Sequence, residues 1–128
     1  MEQEYQHLLS ADAIGHPLEG GISYKMHLPP KIPASDFWSV IVYDNETNLI
    51  ILNDQLWPSV HSNNKKLLFN QDGSVDVWFG PEAPAGKENN WVQTIPGKEW
   101  HMILRLYYPE EPLLNKSWKP GEIEETNY

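Results

Sequence analysis

Hydrophobic and polar residues alternate with a period of two through several short stretches of the chain. That spacing turns one face of a β-strand toward a core and the other toward water. In ISYKMHL, Ile22, Tyr24, Met26 and Leu28 oppose Ser23, Lys25 and His27, which predicts a half-buried strand stopped by Pro29, Pro30 and Pro33. In FWSVIVYD, Phe37, Ser39, Ile41 and Tyr43 oppose Trp38, Val40 and Val42. Both faces are largely apolar, which predicts a central strand. Asp44-Asn45-Glu46 reads as a turn, with residues 49–52 as the second arm of a hairpin. Asp72-Gly73 is a second turn signal and launches SVDVWFG, where Val75, Val77 and Phe79 share a face. WHMILRLYY sets Trp100, Met102, Leu104, Leu106 and Tyr108 against His101, Ile103, Arg105 and Tyr107. Pro109 and Pro112 end it.

The remaining segments carry weaker patterns. KKLLFN and residues 91–95 read as short strands. Residues 1–14 place Tyr5, Leu8, Leu9 and Ile14 loosely on one face and predict a short N-terminal helix. The tail over residues 116–128, with Trp118, Pro120 and Gly121, is expected to lie across an edge of the core. Five to seven short strands separated by turns, with no strand-helix-strand period, predict an antiparallel β-sandwich or open barrel.

Composition bounds this picture. The chain has 128 residues, room for a single domain with one modest core. Eleven prolines and eight glycines argue against long helices. Six tryptophans and six tyrosines supply bulk for a small core. No cysteine is present, which excludes disulfides, Cys-type zinc sites and thiol catalysis. The formal charge of -9 and the absence of a basic stripe exclude nucleic acid as the expected partner. No stretch is long and apolar enough to predict a membrane span, and the acidic N-terminus does not read as a signal peptide. The cytoplasm is therefore the expected compartment.

Taken in order, FWSVIVYD, DGSVDVWFG, NNWVQTIPG, LRLYYPE and SWKPGEIE, with IGHPLEGGISYKMHL ahead of them, resemble the DUF1214 domain. That domain usually follows a DUF1254 domain in bacterial proteins and also occurs as a short standalone chain. The resemblance runs over about residues 12–125. It implies a jelly-roll-like antiparallel β-sandwich and carries no agreed biochemical activity. The DUF1254 half is absent from this sequence, so the chain reads either as a single-domain protein or as a C-terminal fragment.

The candidate site residues follow from the strand pattern. Arg105 is the only arginine and sits mid-strand between hydrophobic neighbours. A guanidinium keeps its charge, so it needs a carboxylate partner such as Asp44 or Asp76, or an anionic ligand. Alternation puts His101 and Tyr107 on its face. Trp57, in the polar stretch DQLWPSVHS, Trp91, at a loop end, and Trp118, in the tail, are candidates for an exposed aromatic platform, the alternative for the tryptophans being to close the ends of the core with their N–H groups on backbone carbonyls. Asp72, Ser74 and Asp76 alternate, but a calcium loop needs more ligands, so Asp72 is expected to cap the turn and Asp76 to pair with a base. The five histidines lack HxH or HExxH spacing, and a site joining His27 to His101 would have to be assembled in three dimensions. No metal or cofactor is expected. The leading functional reading is a non-catalytic module for binding a small polar ligand or for protein assembly, including a homodimer. Its rivals are a hydrolase of carbohydrate or similar polar substrates, and a structural domain whose partner carries the function. Whether the chain is an enzyme is left open.

Overall fold

The computed structural model describes residues 4–51, 53, 55 and 58–127, the side chain of Asp36 excepted. The alternating stretches become strands, and their apolar faces meet. In chain order the strands are β1 (Glu4–Leu9), β2 (Leu18–Glu19), β3 (Tyr24–Leu28), β4 (Ala34–Asp44), β5 (Ser59–His61), β6 (Val75–Gly80), β7 (Trp91–Gln93), β8 (Glu99–Pro109) and β9 (Ile123–Glu125). A single helical turn, α1 (Glu111–Leu114), follows β8. The first sheet runs β1-β8-β4-β5, with β2 also paired to β8. The second runs β7-β6-β3-β9. Together they form a sandwich-like, predominantly β fold.

The core lies between the sheets. From the first come Trp38, Val40, Val42, Trp100, Met102, Leu104 and Leu106, and from the second Tyr24, Met26, Leu28, Val75, Val77 and Phe79. Trp100 bridges the layers, edge-on to Tyr24 at 5.7 Å and stacked with Phe79 at 5.0 Å. Such aromatic pairs add about 0.5–1.5 kcal/mol each beyond the area they bury. Trp118 is buried, donates its indole N–H to the Pro29 carbonyl at 3.1 Å, and anchors the tail. β9 then pairs with β3, as an edge-laid tail requires.

Several expectations need correction. Residues 1–14 hold no helix among the described residues: Glu4–Leu9 is a strand paired along β8 from Glu4↔Tyr107 to Leu9↔Met102. The open edge of a long buried strand offers a row of hydrogen bonds that outweighs a marginal local helix. β7 pairs with β6 in parallel, the one exception to antiparallel pairing among the described strands. KKLLFN forms no strand, because the Asn90 side chain takes the place of a neighbouring strand. Its amide donates to the Leu68 carbonyl at 2.9 Å and its oxygen accepts from the Leu68 N–H at 2.9 Å. The expected hairpin arm shrinks to a bridge between Tyr43 and Ile50, and Leu52 lies outside the described residues. Tyr108 leaves the core face, with φ at 53°, where the register of β4 and β8 shifts.

Candidate functional site

β4 and β8 are each eleven residues long and lie side by side in the first sheet. Their inner faces fill the core, so their outer residues form a wall that no second layer covers among the described elements. Register places Phe37 opposite Tyr107, Ser39 opposite Arg105 and Tyr43 opposite His101. On the other side of β4, Ser39 faces His61 and Ile41 faces Ser59. The small side chain of Ser39, flanked by the larger Arg105 and His61, makes a floor. The result is a groove of about 390 Å³ lined by Phe37, Ser39, Tyr43, His61, Arg105 and Tyr107 among others.

A second concavity of about 660 Å³ shares Ser59, His61 and Asn63 with the first. It continues past the β5 edge to Lys65, Lys66, Glu88 and Trp91. The two form one open trough, running from the outer face of the first sheet around to the edge of the second.

Arg105 is held but not consumed. Its guanidinium donates to the Tyr43 hydroxyl at 2.7 Å and lies 5.7 Å from that ring's centroid. Its Nε is 3.8 Å from a Glu4 carboxylate oxygen, too long for a hydrogen bond. A guanidinium has more donors than these contacts use. The acids named as expected partners are engaged elsewhere. Asp44 accepts from Lys98 at 3.2 Å, and Asp76 lies 2.7 Å from His27 on the second sheet. Gln6 also donates to the Glu4 carboxylate. Burial, and then the neighbouring Glu4 charge, push the Tyr107 phenol above its ordinary value, against the pull of Arg105. Tyr107 therefore stays a neutral donor at neutral pH.

The aromatic rings are ordered around this centre. Phe37 packs against Tyr107 at 5.4 Å and against His61 at 6.0 Å. His61 Nδ1 meets the Ser59 hydroxyl at 3.1 Å. His101 shares the face of Arg105 but lies behind Tyr43, stacked on it at 5.4 Å, with Nδ1 2.6 Å from the Asn45 side-chain oxygen. It does not line the groove, and burial pulls its imidazole below the usual value.

The sequence-predicted residues thus divide. Arg105 and Tyr107 line the near end of the trough, Trp91 lines the far end, and His101 braces Tyr43. Trp57 lies outside the described residues. Trp91 donates its indole N–H to the Gly80 carbonyl at 3.0 Å. Trp100, expected to find a carbonyl, has no partner for its buried N–H among the described residues. Phe37, Tyr43, His61, Lys65 and Lys66 also line the trough, beyond the residues to which the sequence points, and only Phe37 and Tyr43 carry a sequence signal. The available signal was the second apolar face of FWSVIVYD: in a two-layer sandwich only one face of a strand meets the core.

His27 and His101 lie on different sheets, and among the described residues no group of three or more His, Cys, Asp or Glu could hold an ion. Asp72 accepts from the Ser74 N–H at 2.9 Å and the Ser74 hydroxyl at 2.5 Å, capping its turn. Ser74 is the largest influence holding the Asp72 carboxyl below its ordinary range. No helix among the described residues is long and apolar enough to cross a membrane.

No curated protein matches the chain. Solved structures that share its fold include the following two. The VPA0106 protein from Vibrio parahaemolyticus superposes with a TM-score of 0.80 at 23% identity, over 98% of this chain and 31% of that one. An uncharacterized protein from Burkholderia cenocepacia gives 0.54 at 16% identity, over 98% and 36%. The chain spans about a third of the length of these proteins, and at such identities the likeness is one of fold. The family match covers residues 3–111 and so takes in every strand of the trough-bearing sheet, and by it the chain belongs to the family described as protein of unknown function, DUF1214.

Proposed function

We propose that the chain is a non-catalytic binding module whose ligand lies in the trough, with Arg105 pairing to an anionic group. The observation that carries this is the state of Arg105. It is partly buried, set in place by Tyr43 and Glu4, and has more donors than its contacts among the described residues use, at the wall of a concave surface. Maintaining a half-desolvated cation has an electrostatic cost that a bound anion offsets. The aromatic walls add flat apolar area for the rest of the ligand. A hydrolase is less well supported, because carbohydrate cleavage uses two carboxylates and Glu88 is the only one among the described lining residues of the trough.

Titrating the isotope-labelled chain with benzoate and with citrate tests the reading. Amide shifts confined to the trough, and lost in Arg105→Gln, are expected. Shifts scattered over the surface, or unchanged by the substitution, would sink it.

A second reading, docking of another copy of the chain, draws on a different row of the same sheet. Leu8, Ile103 and Ile41 stand abreast on its outer face, and Leu8 is 56% exposed. Light scattering at high protein concentration decides it. A dimer dispersed by Leu8→Glu supports the second reading, and a monomer removes it.

A further inference from the structure

The near end of the trough carries one cation and the far end carries two. Nine basic residues serve a chain of net charge -9, and three of them, Arg105, Lys65 and Lys66, line this one surface. Neither lysine is ion-paired among the described residues, where the ion pairs involve Lys98, Arg105 and His27. Between the two ends lie uncharged hydrogen-bonding side chains, Ser59 and Asn63, with Asn89 beyond them. Aromatic rings stand at both ends, Phe37 near Arg105 and Trp91 near the lysines.

An extended acidic peptide would also meet these cations, but the second sheet does not offer it an edge. Peptides that lie along a sandwich edge are held by unpaired strand N–H and carbonyl groups. On β7 those groups are taken by two side-chain amides. Gln55 accepts from the Gln93 N–H at 2.6 Å and donates to the Trp91 carbonyl at 2.9 Å, while Asn53 donates to the Gln93 carbonyl at 3.0 Å. Beside the three-residue edge of β5, too short to seat a peptide strand, and the single carboxylate of Glu88, what is left exposed is rings, hydroxyl and amide groups, and separated cations. That set matches a molecule with flat carbon-bearing faces, many hydroxyls and carboxylates at intervals.

We infer that the trough takes a short acidic oligosaccharide of the uronic-acid class. Its rings lie on Phe37 and Trp91, its hydroxyls bond to Asn63, Asn89 and Ser59, and its carboxylates pair with Arg105 at one end and Lys65 and Lys66 at the other. This rests on the binding-module reading above and names the ligand class.

The test uses the full chain and four probes: tri-galacturonate, neutral cellotriose, a hexaglutamate peptide and benzoate. Binding is read by amide shifts and tryptophan fluorescence. Tri-galacturonate is expected to perturb both ends of the trough. Arg105→Gln and the double variant Lys65→Gln/Lys66→Gln are each expected to weaken it about tenfold or more, the scale of a lost charge-assisted hydrogen bond. The two lysines are exposed, so the double variant should keep the thermal midpoint of the parent chain. Equal binding of cellotriose would overturn the role of charge and with it the inference. Binding of hexaglutamate or benzoate in the trough without tri-galacturonate would overturn the inference and leave the binding module standing. No perturbation of the trough by any of the four probes would remove both.

Discussion

Two histidines show how burial acts on single residues. His7 is half-buried on the same face of β1 as Tyr5 and Leu9, which pack against the core, and His101 is stacked on the Tyr43 ring. Desolvation pulls both imidazoles below their ordinary value of 6.5, at His7 against an upward pull from Glu122. The unfolded chain therefore takes up these protons at a higher pH than the folded one. Stability rises with pH wherever the unfolded state binds more protons. The contribution is complete above about pH 6.5 and is lost as pH falls from there through the lowered folded values. Thermal midpoints measured between about pH 7.5 and pH 5.5 should fall on the acid side, and His7→Gln/His101→Gln should flatten that slope. An unchanged slope in the double variant would contradict the account. Asp44 and Asp72 are pulled below their ordinary 3.8, so their loss belongs to a more acid range. At Asp44 the main cause is the Glu46 backbone N–H.

Among the elements, β7 is the one whose identity depends most on its neighbours. Three residues cannot hold a strand by propensity alone. One side of Trp91–Gln93 pairs with β6 and the other is closed by Asn53 and Gln55 acting as a side-chain substitute for a strand. Gln55→Ala would leave the Trp91 carbonyl and the Gln93 N–H without these bonds, which should cost about 1–3 kcal/mol. Hydrogen exchange at the Gln93 amide should speed up well before exchange in β8 changes. Equal protection in the variant and parent would show that the clasp contributes nothing. The same comparison explains why strands differed in how far they could be read in advance. β3, β4, β6 and β8 carry their alternation within themselves. β1 and β7 have patterns too weak or short to decide, and each is fixed by the edge it joins. The trough was partly legible for the same reason. The shared face of Arg105, His101 and Tyr107 follows from period two, whereas meeting His61, Lys65 and Trp91 requires chain segments that approach only after folding.

For the molecule as a whole, the connectivity carries a kinetic consequence. β1 and β8 lie at opposite ends of the chain, yet Glu4 pairs with Tyr107. β3 likewise waits for β9, through Met26 and Ile123. Long loops must close before these contacts are rewarded, so folding is expected in about milliseconds to seconds rather than microseconds. Stopped-flow refolding followed by tryptophan fluorescence measures this, and complete recovery within the instrument dead time would refute it. The charge of the chain is uneven in a way the net value hides: an acidic protein concentrates three of its cations along one trough.

The sequence by itself determined the β class, the faces of the long strands, the Asp72 turn and the family resemblance. Alternation and turn chemistry act between near neighbours, so they are present in the linear order of residues. Only the tertiary structure decided that the N-terminus is a strand, that β7 runs parallel to β6, and that Arg105 pairs with Tyr43 and Glu4 rather than Asp44 or Asp76. Those outcomes depend on which distant surfaces are left open once the core has closed. That competition over edges and unpaired charges is settled by the whole fold and leaves no period in the chain.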